Sequence, residues 1–361
     1  MKLIIFRYGE VGWKLDLTQF SDQILLVGQN ASGKSKTIRS LAKVAAIISQ
    51  KTTFSAKESM DALLAYSFQD NVLVYHFQCL EGLVISESLT LEDNNGDELE
   101  CIIKRNSNDC ILRGETINPP INKLVTNVRR DTQLYPMMEM LQAWADNVLG
   151  FSFNETDMFG DSRTSSWYYG YEHAFNSIIS DLEHTTGAKE EYLERLKDIN
   201  YNITDIKAFD FGTEKKVMVK EQGINRPIFD VNMSKGMFRA LFVVAYLIYF
   251  KRHQQGQPAM LLIDDLCEGL DYERSTKLGK LCFEMCEQLG IQLMASSNDS
   301  FLMDVVDLKY WNILHRNNNK VEVINKEQHP DMFDRFEMTG LNNFDLFSSD
   351  FIARHINRPK K

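Results

Sequence analysis

Cysteine is scarce in this 361-residue chain, with six in all: Cys79, Cys101, Cys110, Cys267, Cys282 and Cys286. Only the last two are close, four residues apart in a helix-like stretch, and neither has a histidine or further thiol nearby. That spacing favours buried free thiols in a reducing compartment over a disulfide framework or a metal site. The seven histidines, at 76, 173, 184, 253, 315, 329 and 355, show no metal-ligand spacing either. An excess of positive charge is also missing. Lys and Arg number 40 against 50 Asp and Glu, a formal net charge of -10, which argues against a whole surface laid along phosphate backbones and leaves room only for a local basic patch. There is no long hydrophobic run. The longest, from Met237 to Phe250, contains Arg239 and is too short to span a bilayer, and Met1 is not followed by a basic and then an apolar signal region. The expectation is a cytoplasmic protein with no membrane association. Internal repeats, low-complexity tracts and sustained heptads are absent, so no long coiled-coil arm is expected.

What the sequence does have is apolar material, 44 % of its residues, enough for one large core or two modest ones. Strand-like pieces at 2–6, 13–17 and 23–27 lead into a helical pattern in which Ile38, Leu41, Ala42, Ala45 and Ile48 recur at helical spacing. From Asn71 to Leu112 the text becomes strand-rich and is punctuated by Glu81-Gly82 and Asn94-Asn95-Gly96, an antiparallel meander continuous with the N-terminal strands. Residues 132–208 read as mainly helical around a polar, aromatic segment, GDSRTSSWYYGYE. From Asp210 the chain returns to strand, followed by a buried helix at 237–250, the apolar strand AMLLID, a helix near 272–289 and a strand at 292–296. This alternation implies a parallel sheet with helices packed on it, an α/β fold. The basic tail RHINRPKK reads as mobile.

The stretch LLVGQNASGKSKT, residues 25–37, carries Gly28-x4-Gly33-Lys34-Ser35 between a strand and a helix. This is the phosphate-loop pattern in its required context. The glycines let backbone N–H groups turn inward around a β-phosphate, the helix start directs its positive dipole end there, and Lys34 reaches the phosphate oxygens. The loop Gly28, Gln29, Asn30, Ala31, Ser32, Gly33, Lys34, Ser35 and Lys36 is therefore the candidate ATP cradle, with Ser35 supplying a hydroxyl to Mg2+. Such a loop needs a second acid at the end of a neighbouring strand. MLLIDDLCEGLD supplies Asp264 as the metal-side carboxylate and Asp265 as a candidate base for the attacking water. Taken alone, the two aspartates also admit the plainer reading of a cap on the helix that follows.

VNMSKGMFRALF at 231–242 resembles the signature motif of ATP-binding-cassette (ABC) ATPases, and EGLD at 268–271 resembles their D-loop. The order of phosphate loop, meander, helical insertion, signature, acidic strand, D-loop and final strand is similar to the SMC, RecF and OLD class of these P-loop ATPases. It also resembles stand-alone ATPases of bacterial antiphage systems. The likeness covers roughly residues 1–310 and implies an ABC-type head with a mixed sheet, an antiparallel β-subdomain and a helical insertion. The implied organisation is an N-terminal lobe at 1–131, an insertion at 132–208, a C-terminal lobe at 209–310 and an extension at 311–361.

The resemblance also implies a homodimer glued by ATP, in which Ser234 and Gly236 of one protomer complete the γ-phosphate site of the other, and it places Asp271 of the D-loop among the nucleotide-binding residues. Three departures from the class bear on rate. Asp265 stands where glutamate is usual, Asn298 stands at the switch position where histidine is common, and the signature carries Met233 and Lys235. Asparagine can donate to a γ-phosphate but cannot become cationic, so a slow ATPase that holds its nucleotide is expected. Gln78 is the candidate magnesium-sensing glutamine, against the plainer reading of a glutamine exposed on a strand. Tyr8 or Trp13 is placed to stack on adenine or to fill the core.

The leading functional expectation is the sensor or scaffold subunit of a bacterial antiphage complex. Residues 299–361 show no nuclease-like cluster of acids or histidines, so a separate effector chain, a nuclease or toxin, is expected to supply the output. The insertion and FDLFSSDFIARHI are its candidate docking surfaces, the latter equally readable as an ordinary packed terminal helix. The alternative is a RecF-like repair clamp on DNA, with Arg129-Arg130, Lys215-Lys216 and the tail lining a groove. A transporter ATPase subunit is disfavoured by the long insertion before the signature.

Overall fold

The computed structural model describes residues 1–152, 174–212, 214–253, 259–349 and 351–352. Among them a 14-stranded mixed sheet organises the molecule. Its strands are β1 (Lys2–Glu10), β2 (Trp13–Gln19), β3 (Gln23–Val27), β4 (Met60–Phe68), β5 (Asn71–Leu80), β6 (Leu83–Glu92), β7 (Glu98–Arg105), β8 (Cys110–Leu112), β9 (Glu115–Thr116) and β10 (Val148–Ser152), which precede a small second sheet. That sheet is antiparallel and holds β11 (Ile203–Phe211), β12 (Glu214–Glu221) and β13 (Ile228–Phe229). The main sheet is completed by β14 (Met260–Asp264), β15 (Gln292–Ser296), β16 (Trp311–Asn317) and β17 (Lys320–Asn325).

The order across the main sheet is β10-β14-β15-β3-β16-β17-β2-β1-β4-β5-β6-β7-β8-β9. From β10 to β16 neighbouring strands run parallel, and from β2 to β9 they run antiparallel. The sequence explains both halves. The strands β3, β14 and β15 are short apolar runs buried at every position, as a parallel sheet covered on both faces requires. Strand β5 alternates, burying Leu73, Tyr75, Phe77 and Cys79 while the intervening residues are partly exposed, so one face of the meander meets solvent.

Alternation along the central strands divides the core in two. Leu25, Val27, Leu261, Ile263, Leu293 and Ala295 face one apolar layer, while Ile24, Leu26, Met260, Leu262 and Met294 face the other. The second layer receives the helix Lys34–Ile48 through Ile38, Leu41, Ala45 and Ile48. The first receives the helix Lys235–His253, buried continuously from Gly236 to Ile248. A helix apolar on all sides needs neighbours on all sides. Ala174–His184, Ala188–Asp198 and Tyr272–Leu289 provide them.

Three features depart from the expected organisation. Within the stretch expected to be a helical insertion, VLGFS forms β10 and pairs in parallel with β14, placing Ser152 beside Asp264. Strand β11 crosses the expected boundary at 208/209. Residues 311–325, expected in a C-terminal extension, form the hairpin β16–β17 in the middle of the sheet, because the buried run Trp311–Leu314 continues the parallel order beside β3. The segment GDSRTSSWYYGYE lies outside the described residues, as does the tail from 353 onward. FDLFSSDFIARHI begins as the helix Asn343–Ser348, with a capping box between Asn342 and Asp345, Leu346 fully buried, and the Phe344 N–H donating to Asp304 Oδ1 at 2.9 Å. That is a packed element. No helix of the described residues is long and apolar enough to cross a membrane.

Candidate nucleotide site

The phosphate loop leaves the C-terminal end of β3 and enters the helix Lys34–Ile48. Its conformation depends on its residues. A Cβ at Gly28 would lie 2.4 Å from Ser32 Oγ, closer than side chains come, and 3.0 Å from the Leu314 carbonyl, a tight approach to backbone. Gly33 sits at φ 111°, a region that disfavours other residues, and Ala31 at φ 63° pays part of the same cost. The side chain of Lys34 folds over the loop, its Nζ donating to the carbonyls of Gly28 at 2.6 Å and Gln29 at 3.3 Å.

Burial lowers the proton affinity of Lys34, and the carboxylates of Asp265 and Asp264 oppose that shift. The loop fits a phosphate. At Gly28 it leaves room only for backbone, and the buried Ser32 hydroxyl has no hydrogen-bonding partner among the described residues.

A cleft of about 320 Å³ opens over this loop, lined by Trp13, Asn30 to Lys36, Arg39, Asp265, Asn298 and Arg316. Thus Lys34 and Ser35, the acid after β14 and the switch residue after β15 meet in one place, because parallel strands deliver their C-terminal ends to the same edge of the sheet. Asp264 is 4 % exposed and accepts a hydrogen bond from Ser296 Oγ at 2.6 Å, while the same hydroxyl accepts from the Asp265 N–H at 2.9 Å. Asp265 itself lies at φ 55°. Its carboxyl is pushed up to about 6, first by burial and then by the charges of Asp264 and Glu268, with Arg239 and Lys34 pulling the other way. A carboxylate tuned toward neutrality suits a general base.

The other expected residues divide. Ser234 is exposed and opens the helix Lys235–His253, its Oγ accepting from the Met237 N–H at 3.2 Å. Gly236 packs against the D-loop so closely that a Cβ there would meet the Gly269 carbonyl at 2.4 Å. Neither lines the cleft of its own chain. Asp271 is also elsewhere. Its carboxylate caps the helix Tyr272–Leu289, taking the Arg274 N–H at 3.0 Å and the Arg274 guanidinium at 3.2 Å, so its side chain is directed at its own helix.

Gln78 is on β5 in the antiparallel half, donating to Asp61 Oδ2 at 2.9 Å and accepting from Ser86 at 3.1 Å, and the structure does not bring it to the cleft. Lys36 lines the cleft, but its ammonium pairs with Glu10 at 2.6 Å above the Trp13 ring. Trp13 is 2 % exposed and Tyr8 fully buried against it, so Trp13 forms a wall of the cleft and Tyr8 belongs to the core. Of the expected DNA-facing arginines, Arg130 forks onto Glu139 at 2.7 and 2.6 Å.

Three contributors escaped the sequence reading. Ser296 ends an apolar strand beside β14 and is hydrogen-bonded to Asp264, a small polar residue where the strand pattern predicts another apolar one. Arg316 on β16 donates to the Ala31 carbonyl at 3.1 Å, a contact that only the central placement of β16 creates. Arg239 is the lone charge in the longest apolar run, and it is 1 % exposed.

No protein-family model matches the chain, and no curated protein matches it. Solved structures do. An Smc head bound to the C-terminal winged-helix domain of ScpA superposes with a TM-score of 0.54 at 11 % identity, covering 91 % of this chain and 99 % of that one. An Smc head domain with an extended coiled coil, bound to the C-terminal domain of ScpA derived from Pyrococcus furiosus, gives 0.50 at 11 % identity, covering 93 % and 99 %. At such identities the likeness concerns the fold alone, and it extends over nearly the whole of this chain: a mixed α/β sheet covered by helices, built as these Smc heads are built.

Proposed function

We propose that this chain is a magnesium-dependent ATPase that binds ATP at the phosphate loop, dimerises head to head on it and hydrolyses it slowly. One observation carries the reading: Lys34, Ser35, Asp265 and Asn298, from three separate stretches of sequence, line a single cleft. The backbone N–H groups of the loop and the Lys34 ammonium would hold the phosphates, while Ser35 and Asp264 would hold Mg2+ and its water shell. When bound, the metal neutralises phosphate charge. Asp265 accepts the proton of the attacking water, and Asn298 orients the terminal phosphate by donating its amide.

The exposed Ser234, at the N-terminus of a long buried helix and outside its own chain's cleft, is offered to a second copy, where that helix end faces the anion. ATP then joins two heads and hydrolysis releases them, a timed switch.

Within this activity we assign the chain the role of sensor or scaffold in an antiphage assembly whose effector is another protein. The order of its motifs supports that assignment. The two solved heads, each bound to a domain of ScpA, give a precedent for a head that carries a protein partner.

The test is the mass of the purified chain with and without Mg-ATP, alongside Ser234→Arg. The expected result is an ATP-dependent dimer for the wild type and an ATP-binding monomer for the variant. A variant that still dimerises on ATP would overturn the composite site, and a wild type that binds no ATP would overturn the whole reading.

A further inference from the structure

A charged side chain buried without a task is rare, since taking a guanidinium out of water costs several kcal/mol unless good partners receive it. Arg239 is such a group, 1 % exposed within a helix that is otherwise apolar from Met237 to Ile248. Its partner is the loop that carries the catalytic acid. One guanidinium nitrogen donates to the Glu268 carbonyl, and a second donates to Glu268 Oε2 at 3.3 Å. Three residues earlier, on the same side of the helix, Gly236 meets Gly269 backbone to backbone. The turn from Asp264 to Leu270 is thus gripped twice. Ser296 holds its start through Asp264 Oδ1 and the Asp265 N–H, and the helix holds its far end through Gly236 and Arg239. Between the two grips sits Asp265 at a positive φ of 55°, a strained conformation that persists only where its surroundings impose it.

From this geometry we infer that Arg239 is a positioning residue for hydrolysis: it locks the helix that begins at Ser234 to the turn that aims Asp265, making the two one rigid unit. The inference rests on the ATPase reading above. A displacement of the helix start is then passed to the catalytic acid of the same chain through two short contacts. The fork geometry matters as well as the charge, because one nitrogen takes a carbonyl and another a carboxylate, and a lysine ammonium cannot span both in the same plane. The carboxylate of Glu268 is 70 % exposed, so its own removal leaves the core intact while it withdraws half of the grip.

The experiment compares the wild type, Arg239→Lys and Glu268→Ala by steady-state hydrolysis of Mg-ATP and by direct ATP binding, with thermal unfolding as a check on folding. The expected result is a kcat lowered at least tenfold in Arg239→Lys and about threefold in Glu268→Ala, with KM and ATP affinity within twofold of the wild type in both. A purely structural role would lower the unfolding temperature and leave the kcat of the folded fraction unchanged. Wild-type kcat in a folded Arg239→Lys overturns the inference. If that variant does not fold, Glu268→Ala decides alone, and wild-type kcat there overturns it. An inactive wild type instead removes the ATPase reading on which the inference stands.

Discussion

Ser296 Oγ donates to Asp264 Oδ1 at 2.6 Å, joining the ends of two parallel strands directly beneath the phosphate loop. Ser296→Ala leaves a buried carboxylate oxygen without that partner, at a cost of about 1–3 kcal/mol. It also frees the Asp265 N–H. The expected outcome is lower stability in urea titration together with weaker Mg2+ dependence of ATP binding; an unchanged requirement for Mg2+ would separate Ser296 from the metal side of the site.

Lys34→Ala removes the ammonium that lies over the loop between the Gly28 and Gln29 carbonyls. A charge-assisted contact to phosphate is worth about 1.5–3 kcal/mol, so ATP affinity should fall by about 100-fold. Titration calorimetry measures it. Affinity within threefold of the wild type would contradict the phosphate-loop assignment.

Asp265→Asn keeps the size of the side chain and removes the proton acceptor. General-base loss costs about 100-fold or more in rate, so hydrolysis should nearly stop while ATP still binds. The dimer should therefore accumulate, visible as a stable doubled mass in the presence of Mg-ATP. Unaltered turnover would show that another group takes the proton.

Glu87 on β6 is the other buried carboxylate with a defined task, remote from the cleft. It accepts from the Tyr75 hydroxyl at 2.9 Å and the Val125 N–H at 2.7 Å, and Arg105 stands 3.7 Å away. Glu87→Ala leaves the buried Arg105 with the Lys123 and Pro120 carbonyls but no counter-charge, and uncaps the short helix Val125–Val128. A loss of about 3 kcal/mol is expected from equilibrium unfolding, with ATP affinity unchanged in the folded protein.

How far the site was legible depended on whether its residues were neighbours in sequence. Gly28 to Ser35 form a local loop whose glycines are demanded by local geometry, so its turn between strand and helix is legible from spacing alone. The Asp264-Asp265 pair ends an apolar run of the length a buried strand needs, and the strand is there. Gln78 lies away from the cleft for the opposite reason. Its place in sequence matched the meander, but the sheet order puts β16, β17, β2, β1 and β4 between β3 and β5, and Asp61 takes its amide. Motif order points Asp271 to the nucleotide, whereas the same tetrapeptide also spells a helix cap, and the cap is what its side chain makes.

The sequence by itself determined the strand–loop–helix form around Gly28 to Ser35, the mixture of parallel and antiparallel strands and the burial of the helix from 237 to 250, because each follows from periodicity and short-range backbone geometry. Only the tertiary structure decided that β16 and β17 complete the middle of the sheet, that Arg316 therefore reaches Ala31, and that Arg239 grips the turn of Asp265. Strand order and the pairing of a buried charge are set by contacts between residues far apart in the chain. A hydrophobic pattern states only that a strand is buried, and many neighbours satisfy it equally well.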